Sequence, residues 1–353
     1  MTLFDWYLFR ALVKATLAVI AVIGGLDFSF ALIAELDDLD AGYGLFQALQ
    51  YVGTTLPRRL YEVLPFCILI GTLIGLGGCA EHNELVTMRS AGWSPWRLCG
   101  SALLPAAGFV AVGLLLGEWL APLAEQRAET TRVLSQGGAM RSVLRQGVWV
   151  KQNDGFVHIN GVSATGEVIG FSRFVFDEQR QLQTATFAAR AQHGPAGWTL
   201  HERRVTRFAE SGTTATGPSE GHWRSALTPK LLRVLAIKPE RLASRDLRTY
   251  ITYLRGQQLN ADRYRLALWR KRMQPLAIGV LVLLGASFVF GPLRAMPTSA
   301  RVLSGALTGV GFFFSQNLLG SASLVYGFAP WFGAALPLAL GAGIAVLLLR
   351  RVH

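Results

Sequence analysis

Two patterns of apolar and polar positions divide this chain. Six stretches are apolar on all sides over about 20 residues, the length at which an α-helix crosses the hydrocarbon core of a bilayer. They run from Ala11 to Ala34, Val63 to Cys79 (with helix expected from near Leu45), Leu98 to Ala121, Gln274 to Pro292, Val302 to Val325 and Pro330 to Leu349. Between the third and the fourth, alternation at period 2 takes over. It is clearest in "GVWVK" (147–151), "GFVHI" (155–159), "VIGFSRFVF" (168–176), "LQTATFAAR" (182–190) and "GWTLHERRVTRF" (197–208), with Gly, Asn, Asp and Pro between the runs. That is the signature of strands joined by turns. The expected fold is a polytopic α-helical membrane protein, three helices plus three, with an inserted β domain of sandwich or β-jellyroll type. Residues 1–121 and 263–353 are the helical parts and 122–262 the insert. A cleaved leader is a poor account of the first apolar run, which is too long and has no convincing A-x-A site after it.

Composition agrees. Of 353 residues, 51% are hydrophobic and 16% charged, against about 25% charged in ordinary globular domains. The net charge of +12 acquires meaning only from its placement. With cytoplasmic termini, Arg10, Lys14, Arg89, Arg97, Arg294, Arg301, Arg350 and Arg351 all fall on the inner side, as the positive-inside rule requires. Glu35, Asp37, Asp38 and Asp40 fall outside, and the β domain with them, in the periplasm of a Gram-negative envelope. Cys67, Cys79 and Cys99 lie in or beside apolar runs and imply no disulfide framework. An inserted β domain suits handling of something outside the membrane; a packing module for the outer face is the plainer alternative.

Several chemistries are excluded. No G-x-x-x-x-G-K-[ST] occurs, so the chain is not itself a P-loop ATPase. "HERRV" at His201 lacks the second histidine of a zincin, and the six histidines show no metal spacing. "GLGGCA" at Gly75 lies at the end of an apolar run, where close helix packing explains it better than a nucleotide site. Gly71 with Gly75 and Gly305 with Gly309 form G-x-x-x-G pairs, which serve either packing within the chain or a subunit interface.

Two features remain. Cations gather where the insert meets the helices: Arg58, Arg59, Arg127, Arg132, Arg263, Arg265, Arg270, Lys271 and Arg272. Counted back from Ala80, Arg58 and Arg59 lie about 32 Å along the second helix, at the far edge of the hydrocarbon. Guanidinium forks match phosphate, so an outer-leaflet lipid bearing phosphates is the natural ligand, with solvated surface as the alternative. Asp27 lies within the first apolar run, where it serves a structural hydrogen bond or transport. The second feature is "EHNELVTMRSAGWSPWR" (81–97), which has the spacing of a short amphipathic helix. Leu85, Met88 and Gly92 share a face with Glu81, while Glu84 and Arg89 flank it. Gly92 is placed to stop that helix, and Ser94–Pro95 to start the next.

With "ELVTMRSAGWS" (84–94), "GEWLAP" (117–122), "FGPLR" (290–294) and "SLVYG" (323–327), the chain resembles the YjgP/YjgQ family of lipopolysaccharide export permeases over essentially its whole length. "GEWLAP" and "FGPLR" look more like its LptG branch than its LptF branch. The resemblance implies a permease subunit of an ABC transporter of the inner membrane, paired with LptF and driven by two copies of the ATPase LptB. It also implies contact with LptC and delivery of lipopolysaccharide toward periplasmic LptA. The subunit would hold no cofactor or metal, would leave ATP hydrolysis to its partner and would bind no nucleic acid. The first and fifth spans would line the lipid cavity. Residues 82–91 correspond to the family's coupling helix, with Glu84, Leu85, Met88 and Arg89 as coupling residues; Arg58 and Arg132 match basic positions after the second span's proline and after the third span. Where the LptG branch carries lysines near the outer end of span one, this chain has acids in "AELDDLDAGYG" (34–44), so those phosphate contacts do not carry over. The alternatives are the sister permease or another lipid-export permease, a membrane-anchored envelope scaffold, and a lipid-modifying enzyme, for which Asp37, Asp38 and Asp40 are the only candidate acids.

Overall fold

The computed structural model describes residues 3–37, 44–125, 127–128, 147–152, 155–163, 166–177, 179–195, 197–209, 212–223, 225, 227–229, 232, 239–256, 260–290 and 296–351. In chain order the described helices are α1 (Leu3–Leu36), α2 (Leu45–Glu81), α3 (Glu84–Ser90), α4 (Pro95–Leu115), α5 (Ser244–Gly256), α6 (Asp262–Phe290), α7 (Thr298–Tyr326) and α8 (Pro330–Arg350). A π turn, Leu116–Leu120, carries α4 onward to Glu125. Six helices are long and apolar enough to cross a membrane, and they are the six expected spans. Each runs past its apolar core because the flanking residues remain good helix formers; α6 begins at Asp262 through an Arg- and Leu-rich turn. Prolines at 57, 65, 105, 275 and 337 sit inside helices, as membrane helices tolerate.

The chain divides into two compact units, one of residues 1–35, 52–125 and 261–353, the other of 36–51 and 126–260. In the first, α2 is the central post. Leu69, Leu73 and Leu76 are fully buried, in a core completed by Leu8 and Leu12 of α1, Leu85 and Met88 of α3, Leu98 and Ala102 of α4, Leu281 and Ala286 of α6 and Ala345 of α8. α6 packs against α4 and α8, and α7 against α8. Close approach is set by small residues: a Cβ on Gly71 would collide with Thr16 of α1, and one on Gly75 would lie 2.9 Å from Leu12 Cδ2.

In the second unit six strands, β1 (Val148–Gln152), β2 (Gly155–Val162), β3 (Val168–Phe176), β4 (Leu182–Gly194), β5 (Gly197–Ala209) and β6 (Gly212–Trp223), form one antiparallel sheet in consecutive order. The five alternating stretches are the first five strands. β6, a Gly/Thr/Ser-rich edge exposed along nearly its whole length, has no alternation to announce it. Among the described residues the strands follow one another in sequence order, because short turns pair each strand with the next. Val157, Ile159, Phe171, Ala188 and Trp198 fill the sheet's buried face with Leu227 and Leu232. Trp198 Nε1 donates to the Leu227 carbonyl at 2.8 Å. α5 adds a helix to the insert; its Leu247, Tyr250, Ile251 and Leu254 are buried at helical spacing. Burial raises the pKa of the neighbouring Tyr253 phenol.

Candidate functional site at the two ends of the helical unit

At the Glu81 end of α2 the chain turns through His82 and Asn83, whose φ of 58° suits an asparagine, into α3. α3 ends as expected. Gly92 takes φ +87°, its N–H bonds the Arg89 carbonyl at 3.0 Å, and the Trp93 N–H bonds Met88 at 3.1 Å. These two bonds make a Schellman stop. Ser94 then caps α4, its Oγ accepting from the Arg97 N–H at 3.3 Å with Pro95 in the first turn. Leu85 and Met88 point into the core, and Arg89 is half-buried.

The first turns of α1 meet this corner at several points. Tyr7 Oη donates to Glu84 Oε1 at 2.8 Å, and Ser101 Oγ donates to Asp5 Oδ1 at 2.7 Å. Phe4 meets Trp93 edge-on at 6.0 Å, and the Arg97 guanidinium lies 4.0 Å over the Trp93 ring. Glu84 Oε2 is buried and has no hydrogen-bond partner among the described residues. Glu81, just before the turn, receives Thr298 Oγ1 at 2.8 Å and lies 3.2 Å from Nη1 of Arg301, which is only 1% exposed. Sequence reasoning identified Glu84 and placed Arg301 among the inner-side cations, but it missed Tyr7 and the pairing of Arg301 with Glu81. The Tyr7–Glu84 contact joins positions 77 residues apart, and no local pattern marks it.

At the other end, about 35 Å along α2, the expected cations are engaged by carboxylates. Arg58 Nε lies 2.9 Å from Glu125 Oε2 and Nη1 lies 2.7 Å from Glu62 Oε1, with the Arg58 side chain 14% exposed. Arg59 Nη1 lies 3.3 Å from Asp27 Oδ2, and its Nε donates to Thr55 Oγ1 at 3.3 Å. Asp27 thus has a structural partner. Lys271 Nζ donates to the Gly117 carbonyl at 3.0 Å, inside the π turn where the helical ladder is interrupted, and sits 3.9 Å from Glu118. Arg270 donates to the Gln316 carbonyl at 2.7 Å, and Arg265 pairs with Asp262. Arg272 is exposed, its guanidinium 5.4 Å from the Trp269 ring centre. Arg127, in the second unit, is exposed. Of the expected acids, Asp37 is exposed; Asp38, Asp40 and the expected cation Arg132 lie outside the described residues.

The glycine pairs face the chain's own helices. A Cβ on Gly305 would collide with Leu73, and one on Gly309 would lie 2.7 Å from Phe66 Cδ1. Of the two readings that the spacing allows for Gly305 and Gly309, the contacts within the chain are those of packing, α7 on α2. The opposite side of α7 is the apolar exposed one, with Leu303, Leu307, Phe314 and Leu318.

Six apolar helices, a short core-anchored helix after the second, and an inserted antiparallel β domain define a multi-pass membrane permease. The chain belongs to the family of lipopolysaccharide export system permeases, LptF/LptG, whose model matches residues 6–351. It is 34% identical over 323 residues to the lipopolysaccharide export system permease protein LptG of Escherichia coli K12, covering 88% of each chain. It is 31% identical over 336 residues to the LptG protein of Haemophilus influenzae, covering 94% of each.

Proposed function

We propose that this chain is the LptG-type permease that takes lipopolysaccharide from the outer leaflet of the bacterial inner membrane and passes it toward a periplasmic bridge. It works beside LptF and LptC, delivers to LptA, and is driven through α3 by two copies of the ATPase LptB. Its termini and α3 face the cytoplasm, and the β domain faces the periplasm. The observation that carries the reading is α3. It is a short helix with a fixed stop and a fixed restart, two residues sunk in the core and a carboxylate at its start, in a chain without a phosphate loop. Motion applied there reaches the packed helices rather than dissipating in a flexible turn.

Lipid phosphates are met by the cations at the far end of α2. Arg58 and Lys271, held by carboxylates and a carbonyl, shape that end, and the exposed Arg272 makes the first contact with the anion. Copurification tests the docking half: Glu84→Arg places a cation where the ATPase's own cation is expected, and the ATPase should be lost while the permease remains folded. A Glu84→Arg permease that retains the ATPase at the wild-type level contradicts docking on α3.

A further inference from the structure

The two carboxylates that flank the α2–α3 turn are held by different membrane helices. Glu84 takes the phenolic hydrogen of Tyr7, on α1. Glu81 takes the hydroxyl hydrogen of Thr298 and pairs with Arg301, both on α7. α1 and α7 are also the two spans that bury least of themselves within the chain. Their outer lengths are studded with exposed apolar side chains such as Leu26, Phe30 and Ile33 on α1 and Leu307, Phe314 and Leu318 on α7. At the α3 end, by contrast, both are gripped: Leu8 is 1% exposed and Leu12 3%, Asp5 is bonded to Ser101, and Arg301 is fully enclosed.

We propose that Tyr7 and Arg301 are positioning residues, through which Glu84, at the start of α3, and Glu81, at the end of α2, tie the α2–α3 turn to the two least embedded membrane helices. The proposal rests on the reading of α3 as the ATPase contact. A helix packed on few neighbours moves at low cost, since little apolar contact must be broken. A polar tie at one end then decides whether it follows α3 or lags behind. Tyr7 suits this role because it belongs to α1 while its hydroxyl reaches a group on another element. Arg301 suits it because its guanidinium is enclosed within the helical unit while it pairs with Glu81. The α2–α3 turn is therefore braced on both sides, and a displacement of it is shared between α1 and α7.

The test uses the assembled transporter in proteoliposomes containing lipopolysaccharide, comparing wild type, Tyr7→Phe, Glu81→Gln, Glu84→Ala and the Tyr7→Phe/Glu84→Ala double variant. ATPase copurification, ATP hydrolysis and lipid released to a periplasmic acceptor are measured on each. Tyr7→Phe removes one hydroxyl and keeps the ring, and Glu81→Gln removes one charge and keeps the shape, so both should assemble. The expected result is normal ATPase copurification and hydrolysis with lipid released per ATP down about tenfold, the scale of one hydrogen bond to a charged group. The double variant should release no less than Glu84→Ala alone, because Tyr7 acts through Glu84. An unchanged lipid-to-ATP ratio in Tyr7→Phe and Glu81→Gln overturns the proposal while leaving α3 as the docking element. So does a double variant whose losses multiply. Loss of the ATPase from Tyr7→Phe would show that Tyr7 serves docking rather than transmission, and overturns it too. Failure of α3 docking shows separately, as normal copurification with Glu84→Arg, and removes the proposal's foundation.

Discussion

A guanidinium that already touches two carboxylates has little to offer a third anion. Arg58 is in that position, between Glu62 and Glu125, with Glu125 only 9% exposed. Its first duty is to hold α4 to α2. Glu125→Ala should therefore destabilise the detergent-solubilised protein by about 2 kcal/mol, the value of a hydrogen bond to a charged group, visible as a lowered unfolding temperature. An unchanged temperature would mean that the pair contributes nothing to the fold. Arg272→Glu should do the reverse, leaving thermal unfolding unchanged and weakening photocrosslinking to lipopolysaccharide by up to about fivefold, as expected for a contact of about 1 kcal/mol in partly wet surroundings. Crosslinking at the wild-type level would return Arg272 to solvated surface. The residue types at this end were legible in the sequence. Their pairing was not, because Glu125 lies 67 positions from Arg58.

At the scale of elements, legibility follows the range of the forces that set each one. The spans, the stop at Gly92 and the start at Ser94–Pro95 depend on neighbours within a turn or two, and the sequence carries them. The β5–β6 pairing does not, because β6 is an exposed edge without apolar alternation along most of its length. α5 has apolar residues at helical spacing, yet a sequence reading set on strands passes over it. The glycines of α7 show the remaining limit: spacing reveals that something packs closely there, and only the structure shows that it is α2. Gly309→Leu should accordingly destabilise the chain purified on its own by about 1–3 kcal/mol through overpacking against Phe66. Normal unfolding of that variant alone, with a defect only when a second permease is present, would restore the subunit interface. Gly92→Ala should cost about 1 kcal/mol because the position has positive φ, and should loosen α3 without touching its carboxylates. Hydrogen exchange across residues 84–92 would report it, and unchanged protection would mean that the stop is not needed.

The whole molecule is two units with separate cores, one built to lie in a membrane and one a sheet backed by a short helix. The helical unit concentrates its polar contacts at its two ends, with an apolar core between. One end holds α3 and the ties of the α2–α3 turn to α1 and α7. The other holds Arg58, Arg59, Lys271 and their carboxylates. On the proposed function, force at the first end is converted into a change of lipid contacts at the second. The most direct measurement of that claim is ATP-driven transfer of lipopolysaccharide from proteoliposomes to a periplasmic acceptor, with this chain, its sister permease and the ATPase reconstituted together. The account predicts transfer that needs ATP and this chain, and that falls to background with Glu84→Arg although the permease pair still assembles. Transfer at the wild-type rate with Glu84→Arg, or with this chain left out, would contradict it.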